Sequence, residues 1–208
     1  TFAVKEYMSW SRAERLRYRI YRHPLVMFGL GPIYLFGLKH RYPYDIPDHW
    51  KKAWKSVWWT NVAIFAAVVL GGTLVGYQRF FLIQIPIQFA ASSLGIWMFY
   101  VQHQFEHTYW HSHENWDYYD ASLYGSSYLV LPKVLQWMTS SIGVHHVHHM
   151  SARIPNYKLQ QVHDENPEFH GVTKVSFKDT LKLISLALWD EENRQLIRFK
   201  DLKQLKAA

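Results

Sequence analysis

Histidine is where this chain concentrates its chemistry. Thirteen histidines occur in 208 residues, and eight of them fall between His103 and His149. The run Val144-His145-His146-Val147-His148-His149 contains the pattern H-x-x-H-H in His145, His148 and His149. On a helix, positions i, i+3 and i+4 share a face, so three imidazoles converge there. Neutral imidazole suits iron, zinc, copper and nickel. An affinity tag would be terminal and uninterrupted, and this run is neither. Upstream, His103-Gln-Phe-Glu-His107 places two further imidazoles at i and i+4, which adds His103 and His107 to the candidate metal ligands. That segment also matches H-x-x-E-H, a zinc-protease signature. Such a site needs a soluble catalytic domain and a further acidic ligand, and it leaves the H-x-x-H-H cluster unexplained. His111, His113 and His163 read as outer contacts or surface groups. His23, His40, His49 and His170 read as solvated or interfacial.

The composition narrows the chemistry. There is no cysteine, which excludes a disulfide scaffold, an iron–sulfur cluster, a thiolate zinc site and a cysteine nucleophile. No Gly-rich phosphate loop, nucleophile elbow or internal repeat is visible. Side chains alone cannot break an unactivated aliphatic C–H bond, whereas a metal cofactor with O2 can. All-imidazole ligation beside an apolar helix is well placed for a lipidic substrate whose polar end stays at an interface.

The elements that must hold these histidines show in the distribution of charge. Of 23 Lys and Arg, 11 precede residue 57, one (Arg79) lies in 57–102, and 11 follow; no Asp or Glu occurs between Asp48 and Glu106. Two uncharged stretches result, Ser56 to Gln78 and Phe80 to Phe105. About 20 mostly apolar residues span the roughly 30 Å of bilayer hydrocarbon, so both qualify. The short link around Gly76 predicts an antiparallel hairpin. Two adjacent helices with no polar face are unusual in a soluble core. Trp54, Trp58 and Trp59, with Trp97, Tyr100, Tyr109 and Trp110, resemble an aromatic interfacial belt. Both flanks are basic, so the positive-inside rule places them in the cytoplasm and the hairpin tip outside.

The remaining segments follow from this frame. Pro24 to Leu38 is apolar but short, as in a re-entrant, interfacial or buried segment. Before it, five arginines among aromatics read as a basic interfacial helix meeting anionic headgroups. The net charge of +7 is thereby explained by membrane orientation rather than by nucleic acid, and no nucleic-acid partner is expected. Ser176-Phe-Lys-Asp179 resembles a capping box. Phe177, Leu181, Ile184 and Leu188 continue from it at helical spacing, which predicts a C-terminal amphipathic helix. The expected fold class is all-α: an integral, multi-pass membrane helical bundle with a cytoplasmic, helical, His-rich cap. Its expected divisions are 1–56 cytoplasmic or interfacial with the apolar segment 24–38, transmembrane helices at 57–77 and 80–102, and a metal-binding cap with C-terminal helices over 103–208.

The segment from His103 to about His163 resembles the membrane fatty-acid desaturases, most closely bacterial acyl-lipid enzymes of the ω-6 (delta-12) type. Val101-Gln-His-Gln-Phe-Glu106, Thr108-Tyr-Trp110, Gly125-Ser-Ser127, Leu131-Pro-Lys-Val-Leu-Gln-Trp137, Gly143-Val-His-His-Val-His-His149 and Arg153-Ile-Pro-Asn-Tyr157 carry the likeness. It extends over nearly the whole chain. The resemblance implies a non-haem di-iron enzyme that removes two hydrogens from adjacent methylenes of a fatty acyl chain, with O2 as co-substrate. It implies that His145, His148 and His149 form the third histidine box, and that His103 is the extra histidine after the last membrane helix. His107 falls where relatives often carry an acid, and His146 occupies a variable position. The family's two earlier boxes, H-x-x-x-H and H-x-x-H-H, have no counterpart before residue 100. The chain is therefore expected to be a C-terminal portion that holds part of the di-iron centre and is inactive alone. The implied partners are an acyl-lipid or other fatty-acyl substrate, membrane lipid, and an electron donor such as ferredoxin with its reductase. Alternatives on the same residues are a hydroxylase, ketolase or monooxygenase of a lipidic substrate, and a non-catalytic metal-binding membrane protein.

Overall fold

The computed structural model describes residues 1–42, 44–111 and 113–205. In chain order the elements are β1 (Phe2–Ala3), α1 (Val4–Ser9), α2 (Arg12–Tyr21), α3 (Gly31–Gly37), α4 (Lys51–Val75), α5 (Tyr77–His103), α6 (Tyr118–Tyr124), β2 (Tyr128–Val130), α7 (Lys133–Met138), α8 (His145–Met150), α9 (Leu159–Glu165), β3 (Lys174–Ser176), α10 (Thr180–Leu183), β4 (Leu186–Asp190), β5 (Gln195–Arg198) and α11 (Leu202–Leu205). They divide into two compact units, Tyr18–Trp97 and Thr1–Arg17 with Met98–Ala208.

The unit Tyr18–Trp97 is dominated by α4 and by α5 up to Trp97. At 1.5 Å per residue these helices of 25 and 27 residues are about 37 and 40 Å long, enough to cross a bilayer. Their most apolar windows are only 6% buried. They are therefore not the core of this chain, and their apolar surface needs an apolar surrounding. Gly76, at φ +87°, ends α4. The left-handed conformation suits a residue without Cβ and lets α5 begin one residue later. At this turn Gly71 and Gly72 sit against the Phe80 and Tyr77 rings, where a Cβ would collide. Before α4, Arg41 donates to Asn61 Oδ1 (3.1 Å) and Asn61 Nδ2 returns a bond to the Arg41 carbonyl (2.7 Å). This satisfies a polar side chain on an otherwise apolar helix. The apolar run 24–38 is helical, with a π-turn at Val26–Leu30 directly before α3. Pro32 has no N–H to give to the preceding turn, and a π-turn is one way to absorb that defect. Leu25, Leu30, Ile33 and Leu38 are exposed on it.

The other unit holds ten of the thirteen histidines. Its core is built from Leu123, Val144, Val147, Leu159, Phe169 and Val172, contributed by α6, α8, α9 and the loops beside them. Burying each such side chain contributes about 1.5–3 kcal/mol. Two small sheets flank it: β2 pairs with β3 in parallel, and β4 lies between β1 and β5.

The chain is mostly helical, as expected, but it is not all-α, and the C-terminal helix is the place where the expectation fails. The capping box forms: Ser176 N–H donates to Asp179 Oδ2 and Asp179 N–H to Ser176 Oγ. Yet α10 ends at Leu183, and Leu186–Asp190 becomes a strand. That strand is buried at every position because it is central, with β1 parallel on one side and β5 antiparallel on the other. A strand buried on both faces is a continuous apolar run, which periodicity cannot separate from a helix. The turn that follows was the missed signal. Asp190 Oδ1 accepts the Glu192 and Asn193 N–H groups, and Arg194 takes φ +50°. If α4 and α5 lie in lipid, an alkaline carbonate wash leaves the protein in the membrane pellet; release into the supernatant contradicts that placement.

Candidate metal centre

Two segments far apart in sequence bring three imidazoles together. His103 is the last residue of α5, and His145 and His149 lie one turn apart on α8. His145 Nε2 lies 3.0 Å from His103 Nε2 and 3.1 Å from His149 Nε2. The rings meet at steep angles of 69°, 84° and 79°. Their edges therefore point at one another, and one nitrogen of each lies within 4.8 Å of the others.

The neighbours hold this geometry. Gln102 is buried, its Nε2 donates to the Ile142 carbonyl (2.7 Å), and its own carbonyl accepts the Ser127 N–H (2.9 Å). The end of α5 is thereby tied to the loop that opens α8. Val144 and Val147 are fully buried and anchor α8 in the core. At its far end Tyr118 OH donates to the carbonyls of His149 and Met150 (2.8 and 3.0 Å). His103 Nδ1 lies 3.1 Å from the Gly125 carbonyl. A carbonyl only accepts, so Nδ1 carries the proton and Nε2 keeps its lone pair.

This tautomer decides what the cluster can hold. With His103 Nε2 a bare acceptor, the single proton of His145 Nε2 can serve only one of its two contacts. Three neutral imidazoles therefore cannot all be satisfied by one another. Protonation is opposed too. Burial first, and His103 second, push His145 down to about 2 and His149 to about 4. Three neutral imidazoles whose nitrogens converge, one of them held from behind by a carbonyl, fit a metal cation.

The other sequence candidates fall into place around this group. His148 stacks on His145 at 5.6 Å between ring centroids, beside the three converging nitrogens but not among them. His107 is not brought in. The helix ends at His103, so the i, i+4 relation does not operate, and His107 is exposed in a turn. The Glu106 carbonyl accepts the Leu196 N–H (2.7 Å), which draws that stretch to β5 instead. His111 meets Arg194 Nη2 at 2.6 Å. The side chain of His113 lies outside the described residues. Of the two readings given for His163, outer contact or surface group, the surface one fails: it is buried and pairs with His146, another buried ring.

Gly143 limits how the α8 loop can be built. A Cβ there would stand 2.5 Å from the Leu129 carbonyl and 2.6 Å from Gln136 Oε1. Gly143→Ala is expected to cost about 1–3 kcal/mol through overpacking, read as a lower Tm; an unchanged Tm contradicts this. His145→Ala is expected to weaken Co(II) binding by more than the roughly 10–100-fold that loss of an outer hydrogen-bond partner costs. Titration followed by ligand-field absorption checks it, and wild-type affinity contradicts it.

The family model "Fatty acid desaturase" matches residues 2–178. A curated relative from Bacillus subtilis (strain 168), named "Fatty acid desaturase", is 42% identical over 202 residues, which is 97% of this chain and 57% of the relative. The chain thus spans a little over half the length of that relative. The match runs from the first strand, through both long helices and the three converging histidines, to the start of the capping box, and on that extent the chain belongs to the fatty acid desaturase family.

Proposed function

We propose that this chain contributes the C-terminal ligands of a non-haem di-iron centre that desaturates fatty acyl chains of membrane lipids. The observation that carries the reading is the convergence of the Nε2 atoms of His103, His145 and His149. The iron pair supplies the O2 activation that side chains lack. In the balanced reaction –CH2–CH2– becomes –CH=CH– and O2 becomes two waters, with two electrons and two protons from the donor.

The chain's own residues orient and shield. His103, His145 and His149 would hold one ion, and His148, stacked beside His145, would be available to the second. The Gly125 carbonyl keeps His103 in the tautomer whose Nε2 is free. Val101, Val144 and Val147, fully buried, keep water from the backs of α5 and α8. His107, exposed in its turn, is left out of the ligand set.

Placement follows from charge. With α4 and α5 spanning the bilayer and 11 Lys and Arg on each flank, both flanks and the metal centre lie on the cytoplasmic side. The acyl chain enters from the membrane while its polar end stays at the interface. A small acidic electron carrier such as ferredoxin, recharged by its reductase, fits the basic face. Its docking weakens as salt screens the charges.

Fatty-acid profiling of cells expressing this chain joined to a segment that carries the family's first two histidine boxes tests the reading. A new double bond that disappears with His149→Ala is expected, and a product carrying inserted oxygen overturns desaturation. Residues 1–208 alone hold neither of the family's first two histidine boxes. They are expected to bind one iron per chain and to convert no acyl lipid; two irons and turnover contradict this.

A further inference from the structure

The histidine run of α8 is rotationally ambiguous. His145 and His149 form an i, i+4 pair, but His146 and His149 form an i, i+3 pair that can also share a helix face. At about 100° per residue, a rotation of roughly 50° would centre the His146–His149 face where the His145–His149 face stands. A short helix of six residues has little periodicity of its own to choose between the two.

The choice is made on the opposite side of α8. His146 is fully buried, and its Nε2 lies 2.9 Å from Nδ1 of His163 on α9. His163 is 4% exposed. It is fixed in turn, because its carbonyl accepts a bond from His170 Nε2 (3.0 Å) and the Tyr128 ring meets its ring edge-on at 4.9 Å. Phe169 closes over His146 at 5.9 Å. His146 and His163 belong to neither the converging group nor the surface.

We propose that the His146–His163 hydrogen bond is a positioning device that sets the rotational register of α8, so that His145 and not His146 is presented to the metal. The proposal rests on the reading of His103, His145 and His149 as a metal site. His146 and His163 act through α8 and touch neither metal nor substrate. Breaking the bond from the α9 side leaves His146 free to compete with His145. Removing His146 itself takes the competitor away.

Co(II) titration of the 208-residue chain in detergent, read by ligand-field absorption with Tm measured in parallel, tests this. His163→Leu is expected to lower Co(II) affinity about 10–100-fold, the range for an outer-shell partner, and to alter the spectrum. His163→Asn, whose amide places a hydrogen-bonding atom near the position of Nδ1, is expected to restore both. His146→Leu is expected to lose less affinity than His163→Leu. Val172→Ala, a cavity in the same core, is expected to lower Tm while leaving affinity and spectrum unchanged. Wild-type behaviour of His163→Leu, equal losses in the two Leu variants, or an equal loss in Val172→Ala would each overturn the proposal. Should His163→Leu not fold, His146→Gln against His146→Leu carries the comparison: Gln retains affinity, Leu lowers it, and equal affinities overturn the proposal. Absence of Co(II) binding by the wild type would overturn the metal-site reading itself.

Discussion

The histidine unit is organised around a shortage of protons. His103 gives its only N–H to the Gly125 carbonyl, and that single bond turns the meeting of three Nε2 atoms from a hydrogen-bonded chain into a set of converging lone pairs. Around His145, which is buried, such an arrangement is costly unless something positive sits among them. Burial closes the other escape, because it opposes protonation of His145 and His149. The surrounding contacts then read as restraints on one geometry. Gln102 ties α5 to the α8 loop, Gly143 lets that loop pass the Leu129 carbonyl, and Tyr118 holds the last turn of α8.

The rest of the chain supplies a second environment. Mean hydropathy over the chain is −0.20, yet this average conceals two populations. One is a pair of long helices almost free of charge, whose apolar windows are only 6% buried among the described residues. The other is a polar, histidine-bearing unit with its own core and two small sheets. The two meet in sequence within one helix, since α5 begins at Tyr77 among apolar residues and ends at His103. His103 thus stands at the end of a helix long enough to cross a bilayer.

What could be read from residues alone followed from regular spacing. Uncharged length gave the two long helices, and the i, i+3, i+4 spacing of H-x-x-H-H gave His145, His148 and His149, of which His145 and His149 converge with His103. His103 was found as well, although by its partner His107, which the end of α5 removes from the pair. What could not be read depended on tertiary packing. Leu186–Trp189 is apolar at every position, which suits a helix or a central strand alike, and only pairing with β1 and β5 decides between them. His146 and His163 are separated by 17 residues and carry no shared motif, so their bond appears only once α8 and α9 pack. The Ser176–Asp179 box shows the same division: the local signal was right, and the length of the helix it opens was set elsewhere.

The central claim is that His103, His145 and His149 together hold one metal ion. X-ray absorption on the iron-loaded chain tests it most directly, through the imidazole contribution to the scattering beyond the first shell. The account predicts a three-imidazole signal that drops by one ring in His103→Ala and by one in His149→Ala. A first shell of oxygen alone, or an imidazole signal unchanged by either substitution, would contradict it.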